Sequence, residues 1–337
     1  MFKPTLQCRL QLILIAASSL LGRADSASDF LLTSIANRVD IASSSGKPFQ
    51  LEADFTAQIN VPQAGHITWK WVNKALWSQE ITVGSYHQII LKKGETIYLS
   101  RNAPFTPLRV SDLLGLLTIF SSECKCWEIR RVKPQVEAGA AIECLELHKV
   151  HPQSNEWNPK RITCINPATK EVLSDEFKDD ENFRHAEYSN YQPLGSLSYP
   201  MQMKLQINGS QALKVNVISL SQASFDEATF VPIPGAVARR QCENMTHPVA
   251  IKTPDPEYPR SAAQNRLGGT VTISLTVNPD GSVSNVQLLE SAGHEMDSVS
   301  QQILQTWKFK PAMCGTEAVA YDIHVNVTFH ARELERG

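Results

Sequence analysis

Gly268-Gly269-Thr270-Val271-Thr272-Ile273-Ser274-Leu275-Thr276-Val277-Asn278-Pro279-Asp280-Gly281 joins a regular period-2 pattern to a tight-turn signal. Val271, Ile273, Leu275 and Val277 alternate with Thr270, Thr272, Ser274 and Thr276. This predicts a strand with its apolar side chains inward and its hydroxyls outward. Asn278-Pro279-Asp280-Gly281 supplies a tight turn in which Gly281 is free to take positive φ. Val283, Val286 and Leu288 carry a second strand, and their shift from odd to even positions predicts a bulge.

Upstream, Glu257-Tyr258-Pro259 is extended, because the residue before a proline is pushed out of the helical region. Arg260 to Arg266 is a short helix that Gly268-Gly269 stops. Downstream, Gly293 precedes a helix with Met296, Val299, Ile303 and Trp307 on one stripe, and Pro311 prevents its continuation beyond Phe309. Tyr321, Ile323, Val325, Val327 and Phe329 alternate with Asp322, His324, Asn326, Thr328 and His330 on a last strand. Burying those five apolar side chains is worth at most about 10 kcal/mol gross. A slip of one residue would bury His and Asp instead. The unit reads α-β-β-α-β.

Tyr258-Pro259, Gly269-Thr270-Val271, Asp280-Gly281, Ser291-x-Gly293, Asp297 and Trp307-Lys308-Phe309-x-Pro311-Ala312, in this order and spacing, resemble the C-terminal domain of the TonB family. The resemblance implies a domain without a reaction centre. It would pair a sheet edge with an extended peptide from an outer-membrane receptor or another envelope protein. It makes Ile323, Val325, Val327 and Phe329 the candidate partner-binding strand, and Tyr258, Pro259, Gly269, Asp280, Gly281, Trp307, Phe309 and Pro311 the family motif. Energy-transducing members need an inner-membrane helix and a long Pro-rich spacer. Here the Pro-containing segment is short, Val231-Pro232-Ile233-Pro234-Gly235, which argues against proton-motive-force transduction.

Ahead of that linker, Ser28 to Ala42 reads as a helix with Leu31, Ile35 and Val39 at helical spacing. Alternating strands follow from Leu51 to Leu99. A short apolar helix holds Val110, Leu113, Leu114, Leu117 and Phe120, and further strands run from Cys126 to Leu220. With Trp69-x-Trp71 early and Tyr188-x-x-Tyr191 and Tyr199-Pro200 late, this order resembles the lipoprotein-carrier (LolA/LolB-like) half-barrel group. The resemblance implies a curved antiparallel sheet with covering helices and an apolar lipid ligand beneath it. Trp69, Trp71, Trp77 and Tyr98 are the candidate lining. The fold class is α+β, with residues 28–237 as the sheet domain and 242–333 as the TonB-like domain.

Length and charge agree with this division. A chain of 337 residues favours two domains, and a net charge of -2 offers no general attraction to nucleic acid or anionic lipid. Lys3, Arg9 and the apolar run Leu10 to Leu21 read as a secretory signal over residues 1–24, with Gly22-Arg23-Ala24 as a cleavage site and another near Ala27. An uncleaved segment would instead anchor the chain to the membrane. Export suits the cysteines: Cys8 leaves with the signal, and the remaining six suggest disulfides. Cys242 and Cys314 bracket the C-terminal domain, and their bridge would contribute roughly 3–4 kcal/mol of loop entropy. Cys144 with Cys164 is one pairing in the front region. Crossed pairs of these two with Cys124 and Cys126 are the alternative.

Chemistry-bearing clusters are sparse. Cys124-x-Cys126 with Cys144 and His148-x-x-His151 matches no strong zinc spacing. His294, Asp297 and Ser298 read as helix-start caps. Asp179-Asp180-Glu181 reads as a solvated loop. No nucleophile elbow, phosphate loop or His-Glu-x-x-His occurs. With the two resemblances, this implies a non-enzymatic, cofactor-free protein exported to the periplasm. It would bind an envelope partner in a transport-related role; the alternative is a lipid or lipoprotein carrier that uses the TonB-like domain for docking.

Overall fold

The computed structural model describes residues 28–42, 47–59, 61–120, 127–149, 160–178, 182–293 and 295–330. The segment expected to be a signal, residues 1–24, and Cys124, Cys126, His151, Asp179 to Glu181 and His294 lie outside the described residues. The fold is mainly antiparallel sheet with few helices.

Helix α1 covers residues 28–39. Five strands follow: β1 (Phe49–Gln58), β2 (Pro62–Asn73), β3 (Leu76–Val83), β4 (Tyr86–Lys93) and β5 (Thr96–Arg101). After α2 (Leu108–Leu117) come β6 (Trp127–Glu137), β7 (Ala140–Lys149), β8 (Lys160–Ile165), β9 (Val172–Lys178), β10 (Phe183–Leu194), β11 (Leu197–Ile207) and β12 (Ser210–Gln222). The C-terminal part holds β13 (Val237–Arg240), β14 (Val249–Lys252), α3 (Arg260–Gln264), β15 (Gly269–Val277), β16 (Val283–Glu290), α4 (Met296–Leu304), β17 (Lys308–Lys310), β18 (Ala312–Cys314), β19 (Glu317–Val319) and β20 (Tyr321–Phe329). The chain divides into two compact units, Met1–Ala64 with Asp112–Ala223, and Gly65–Ser111 with Ser224–Gly337.

In the first unit the strand order is β1-β12-β11-β10-β9-β8-β7-β6. Phe49, Leu51, Ala53, Phe55 and Ala57 are buried along β1, as their alternation requires, and Ile35 and Val39 of α1 are buried as well. Cys144 and Cys164 face each other in the β7–β8 register and are bonded. That removes Cys144 from any metal-ligand set. β9 does not stand out in the sequence, because Ser174-Asp175-Glu176 interrupts its apolar pattern. It is held partly by polar bonds: Arg161 Nε and Thr163 Oγ1 donate to Asp175 Oδ1 at 2.6 and 2.7 Å. The Tyr199 hydroxyl donates to the Leu117 carbonyl at 2.7 Å, and burial raises its pKa well above the ordinary tyrosine value. Tyr199→Phe leaves that buried carbonyl without this donor and is expected to cost about 1–2 kcal/mol in urea denaturation.

In the second unit β2, β3, β4 and β5 form a meander, and β13 adds to its end, with Val237 opposite Leu99 and Arg240 opposite Thr96. A strand thus follows directly on the Pro-containing linker. Lys92 of β4 reaches across to the Gln241 carbonyl and to its Oε1, the latter at 3.2 Å. Burial lowers the Lys92 pKa.

The same unit holds a three-stranded sheet of order β16-β15-β20. The elements α3, β15, β16, α4 and β20 occur in the order that the sequence implies. Short strands are added to them: β14 pairs with β17, and β18 with β19. The bulge falls where the pattern shifts. Ser274 pairs with Gln287 but Thr276 with Ser284, and Asn285 has φ 51°. One expectation is overturned. Thr272, Ser274 and Thr276 do not face water; they are buried at 6, 7 and 4% exposure. β15 is the central strand, and the outer face is covered around Asp322, which accepts a bond from Thr276 at 2.6 Å and pairs with Arg239. Cys242 and Cys314 are bonded and pack with Ala312, Val319 and Tyr321 in a small cluster, so Tyr321 leaves the core that the rest of its strand serves.

Candidate functional site

The core beneath β20 combines Val271, Ile273, Leu275 and Val277 of β15, Met296 and Leu304 of α4, Phe309, and Val327 and Phe329 of β20 itself. Ile323 and Val325 pack against it half-buried. The four candidate partner-binding residues therefore point their side chains at the domain's own core. Any recognition by this strand falls to its backbone and to the polar residues between them. Of these, His324 and Asn326 are exposed. β20 pairs with β15 without a register break, from Tyr321 opposite Val277 to Phe329 opposite Gly269. It stands last in the strand order, so its far edge carries no strand among the described residues.

The motif residues build the frame around this edge. The Tyr258 hydroxyl donates to the Leu267 carbonyl, and its ring meets Phe329 edge-on at 5.7 Å. Pro259 caps α3 in extended conformation with φ −61°. Gly269 lies so close to α4's approach segment that a Cβ there would sit 2.9 Å from Ala292 Cβ. Asp280 Oδ1 accepts from the Ser282 amide at 2.9 Å and from its hydroxyl, and these bonds hold the carboxyl below the usual range. Gly281 takes φ 77°, and its carbonyl accepts from the Phe309 amide at 2.9 Å. Trp307 Nε1 donates to the Pro254 carbonyl at 3.1 Å, with its ring 6.2 Å from that of Phe309. Pro311 separates β17 from β18. Asp297 Oδ1 accepts from the Ala292 and Gly293 amides at 2.9 and 3.3 Å, which makes it a loop-closing acceptor.

The sequence missed a polar cluster beside the start of β20. Asp322 pairs with Arg239 of β13 at 2.7 Å and with Arg101 of β5 at 3.8 Å. Arg101 also donates to Thr106 Oγ1 and to the Pro104 carbonyl. Thr106 in turn donates to Gln88 Oε1 at 2.7 Å, which also takes the Tyr86 hydroxyl at 2.8 Å. The pairs Arg240 with Glu95 and Glu317, and Arg109 with Glu290, run between the same parts of this unit. These residues lie far apart in sequence, and no local pattern links them.

Of the four aromatics expected to line a lipid cavity, Trp69 and Trp71 are buried at 5% exposure, and Trp71 lies opposite Trp77 in the β2–β3 register. One cleft, of about 320 Å³, is lined by other residues: Phe30, Thr33, Ser34, Asn37, Arg38, Thr169 and Lys170. Among the described residues no cluster of three or more His, Cys, Asp or Glu is arranged for a metal, and no helix is long and apolar enough to cross a membrane.

A short mixed domain with a three-stranded antiparallel sheet, β20 at one end of it, and a Tyr-Pro entry is the class that these features define. Residues 254–331 match the family described as Gram-negative bacterial TonB protein C-terminal. The TonB protein of Vibrio cholerae is 33% identical over 75 residues, covering 22% of this chain and 31% of that protein. Its Escherichia coli counterpart is 31% identical over 83 residues, covering 24% and 33%. That of Pseudomonas aeruginosa is 32% identical over 71 residues, covering 21% of each. The chain thus spans between a fifth and a third of the length of these relatives. Among solved structures, a LolA superfamily protein from Nitrosomonas europaea covers 59% of this chain and 96% of its own, with TM-score 0.43 and 12% identity. A DUF1329 family protein from Desulfovibrio piger covers 62% and 97%, with TM-score 0.44 and 11% identity.

Proposed function

We propose that this chain is a non-enzymatic protein of the bacterial periplasm that binds an envelope partner through its C-terminal domain, residues 242–333, in a transport-related role. The partner is an extended segment of an outer-membrane receptor or another envelope protein, added as a strand to the free edge of β20. The observation that carries this reading is the place of β20 at the end of the order β16-β15-β20, paired on one side along its whole length. Its family match supports the same reading. Specificity would come from His324 and Asn326, the exposed side chains along that edge.

The test is site-specific photo-crosslinking in cells. A photoreactive residue at His324 or Asn326 is expected to give a discrete envelope adduct, while one at Gln264, exposed on α3, gives none. Single proline substitutions at His324 and Val325 sharpen the result, because neighbouring amides point to opposite edges of a strand. The one facing β15 should unfold the domain; the other should abolish the adduct and leave the fold intact. Adducts that persist in the folded proline variant, or that arise equally from Gln264, would reject the edge model.

A further inference from the structure

The ribbon formed by β14 and β17 lies outside the β16-β15-β20 sheet and has no part in the β20 reading. Its composition is unusual for a surface. Val249 and Ile251 are 59% and 70% exposed, on a strand with no buried residue at all. Val249 lies opposite Lys310, and Lys252 lies opposite Lys308 across a register shift at Ile251. Lys308 and Lys310 are both exposed, while Phe309 between them is buried. Like charges placed directly opposite on a ladder repel. Among the described residues none of these three lysines forms an ion pair within 4 Å; Lys308 acts on the Asp280 carboxylate only at longer range.

The two edges of the ribbon differ. The Phe309 amide of β17 is engaged by the Gly281 carbonyl. Among the described residues β14 pairs only with β17, so its other edge carries no strand there, and it is bounded by Pro248 and Pro254. Lysines and prolines at an edge turn away neutral or basic strands. They do not turn away an acidic one, which would neutralise the repulsion and cover the two exposed aliphatics at once. We infer that the β14 edge is a second docking site, for a short extended acidic-apolar peptide of about four paired residues, distinct from the edge of β20.

The test uses the full-length chain and a fluorescent hexapeptide of alternating Glu and Val, with an alternating Lys and Val peptide as control, read by anisotropy. The acidic probe is expected to bind and to weaken steeply with salt, while the basic one does not bind. Lys310→Glu should reduce affinity at least about tenfold. Lys252→Glu should do the same while leaving the melting temperature unchanged or higher, since it converts the Lys252–Lys308 repulsion into attraction. That opposition of signs separates loss of a site from loss of fold. Amide exchange at 249–252 should slow when the probe is added. Three results would overturn the inference: equal binding of both peptides, binding lost on proline substitution in β20 but kept in Lys252→Glu, or association with phosphatidylglycerol vesicles and with neither peptide.

Discussion

Gly281→Ala is expected to destabilise the C-terminal domain by about 4 kcal/mol or more, a loss large enough to unfold it at moderate temperature. Two separate causes act there. The residue has φ 77°, a conformation that costs an L side chain about 1 kcal/mol or more. A Cβ at that position would also lie 2.0 Å from the Phe309 carbonyl oxygen, which is backbone and cannot rotate away. The turn and β17 would have to separate, breaking the bond from the Phe309 amide to the Gly281 carbonyl and lifting buried Phe309 from the core. Gly315 is the control. It has φ 62° with nothing within 4 Å of its ideal Cβ, so Gly315→Ala should cost only about 1 kcal/mol. Urea denaturation of both variants measures the difference. Equal losses would mean that conformational preference alone, and not close approach of β17, explains the Asp280-Gly281 motif.

The parts of this fold legible in the sequence are those with enough residues to show a period. β15 and β20 each alternate over nine positions, and the turn between β15 and β16 is spelled by Asn278-Pro279-Asp280-Gly281. Shorter elements left no such trace. β14 has four residues between prolines and β17 only three, so both read as loop. β9 was hidden for a different reason: its Asp175 serves Arg161 and Thr163 on the neighbouring strand, a polar contribution that a hydrophobic pattern cannot report. The buried hydroxyl face of β15 shows the deeper limit. Alternation identifies which face is apolar. It does not say whether the opposite face is wet, because Thr276 is bonded to Asp322, which is in turn held by two arginines from distant parts of the chain. The candidate site divides in the same way. The alternation of β20 and the motif residues were legible, whereas the polar cluster at the head of that strand was not.

That cluster leads to the second large effect: Asp322→Ala should cost about 3 kcal/mol. The carboxylate accepts from Thr276 at 2.6 Å and faces Arg239 and Arg101, whose side chains are 22% and 15% exposed. Exposure that low limits screening by water, so removing this acid leaves two guanidinium groups without their ion-pair partner among the described residues. Arg101 keeps its bonds to Thr106 and Pro104, but Arg239 loses its closest partner, which makes the Arg239 pair the stronger of the two. Asp322→Asn should fall between wild type and alanine, because an amide oxygen still accepts from Thr276 but carries no charge. A double-mutant cycle of Asp322→Ala with Arg239→Ala should give a coupling of about 1–2 kcal/mol by urea denaturation, against less for the cycle with Arg101→Ala. The consequence reaches the docking edge. Asp322 is the second residue of β20, so the arginines hold the strand at its head while Val327 and Phe329 hold it at its tail. Loosening the head should raise amide exchange at 321–325 more than at 326–329. A uniform rise, or a coupling below about 0.3 kcal/mol, would mean that the arginines stand near Asp322 without fastening β20 to its unit.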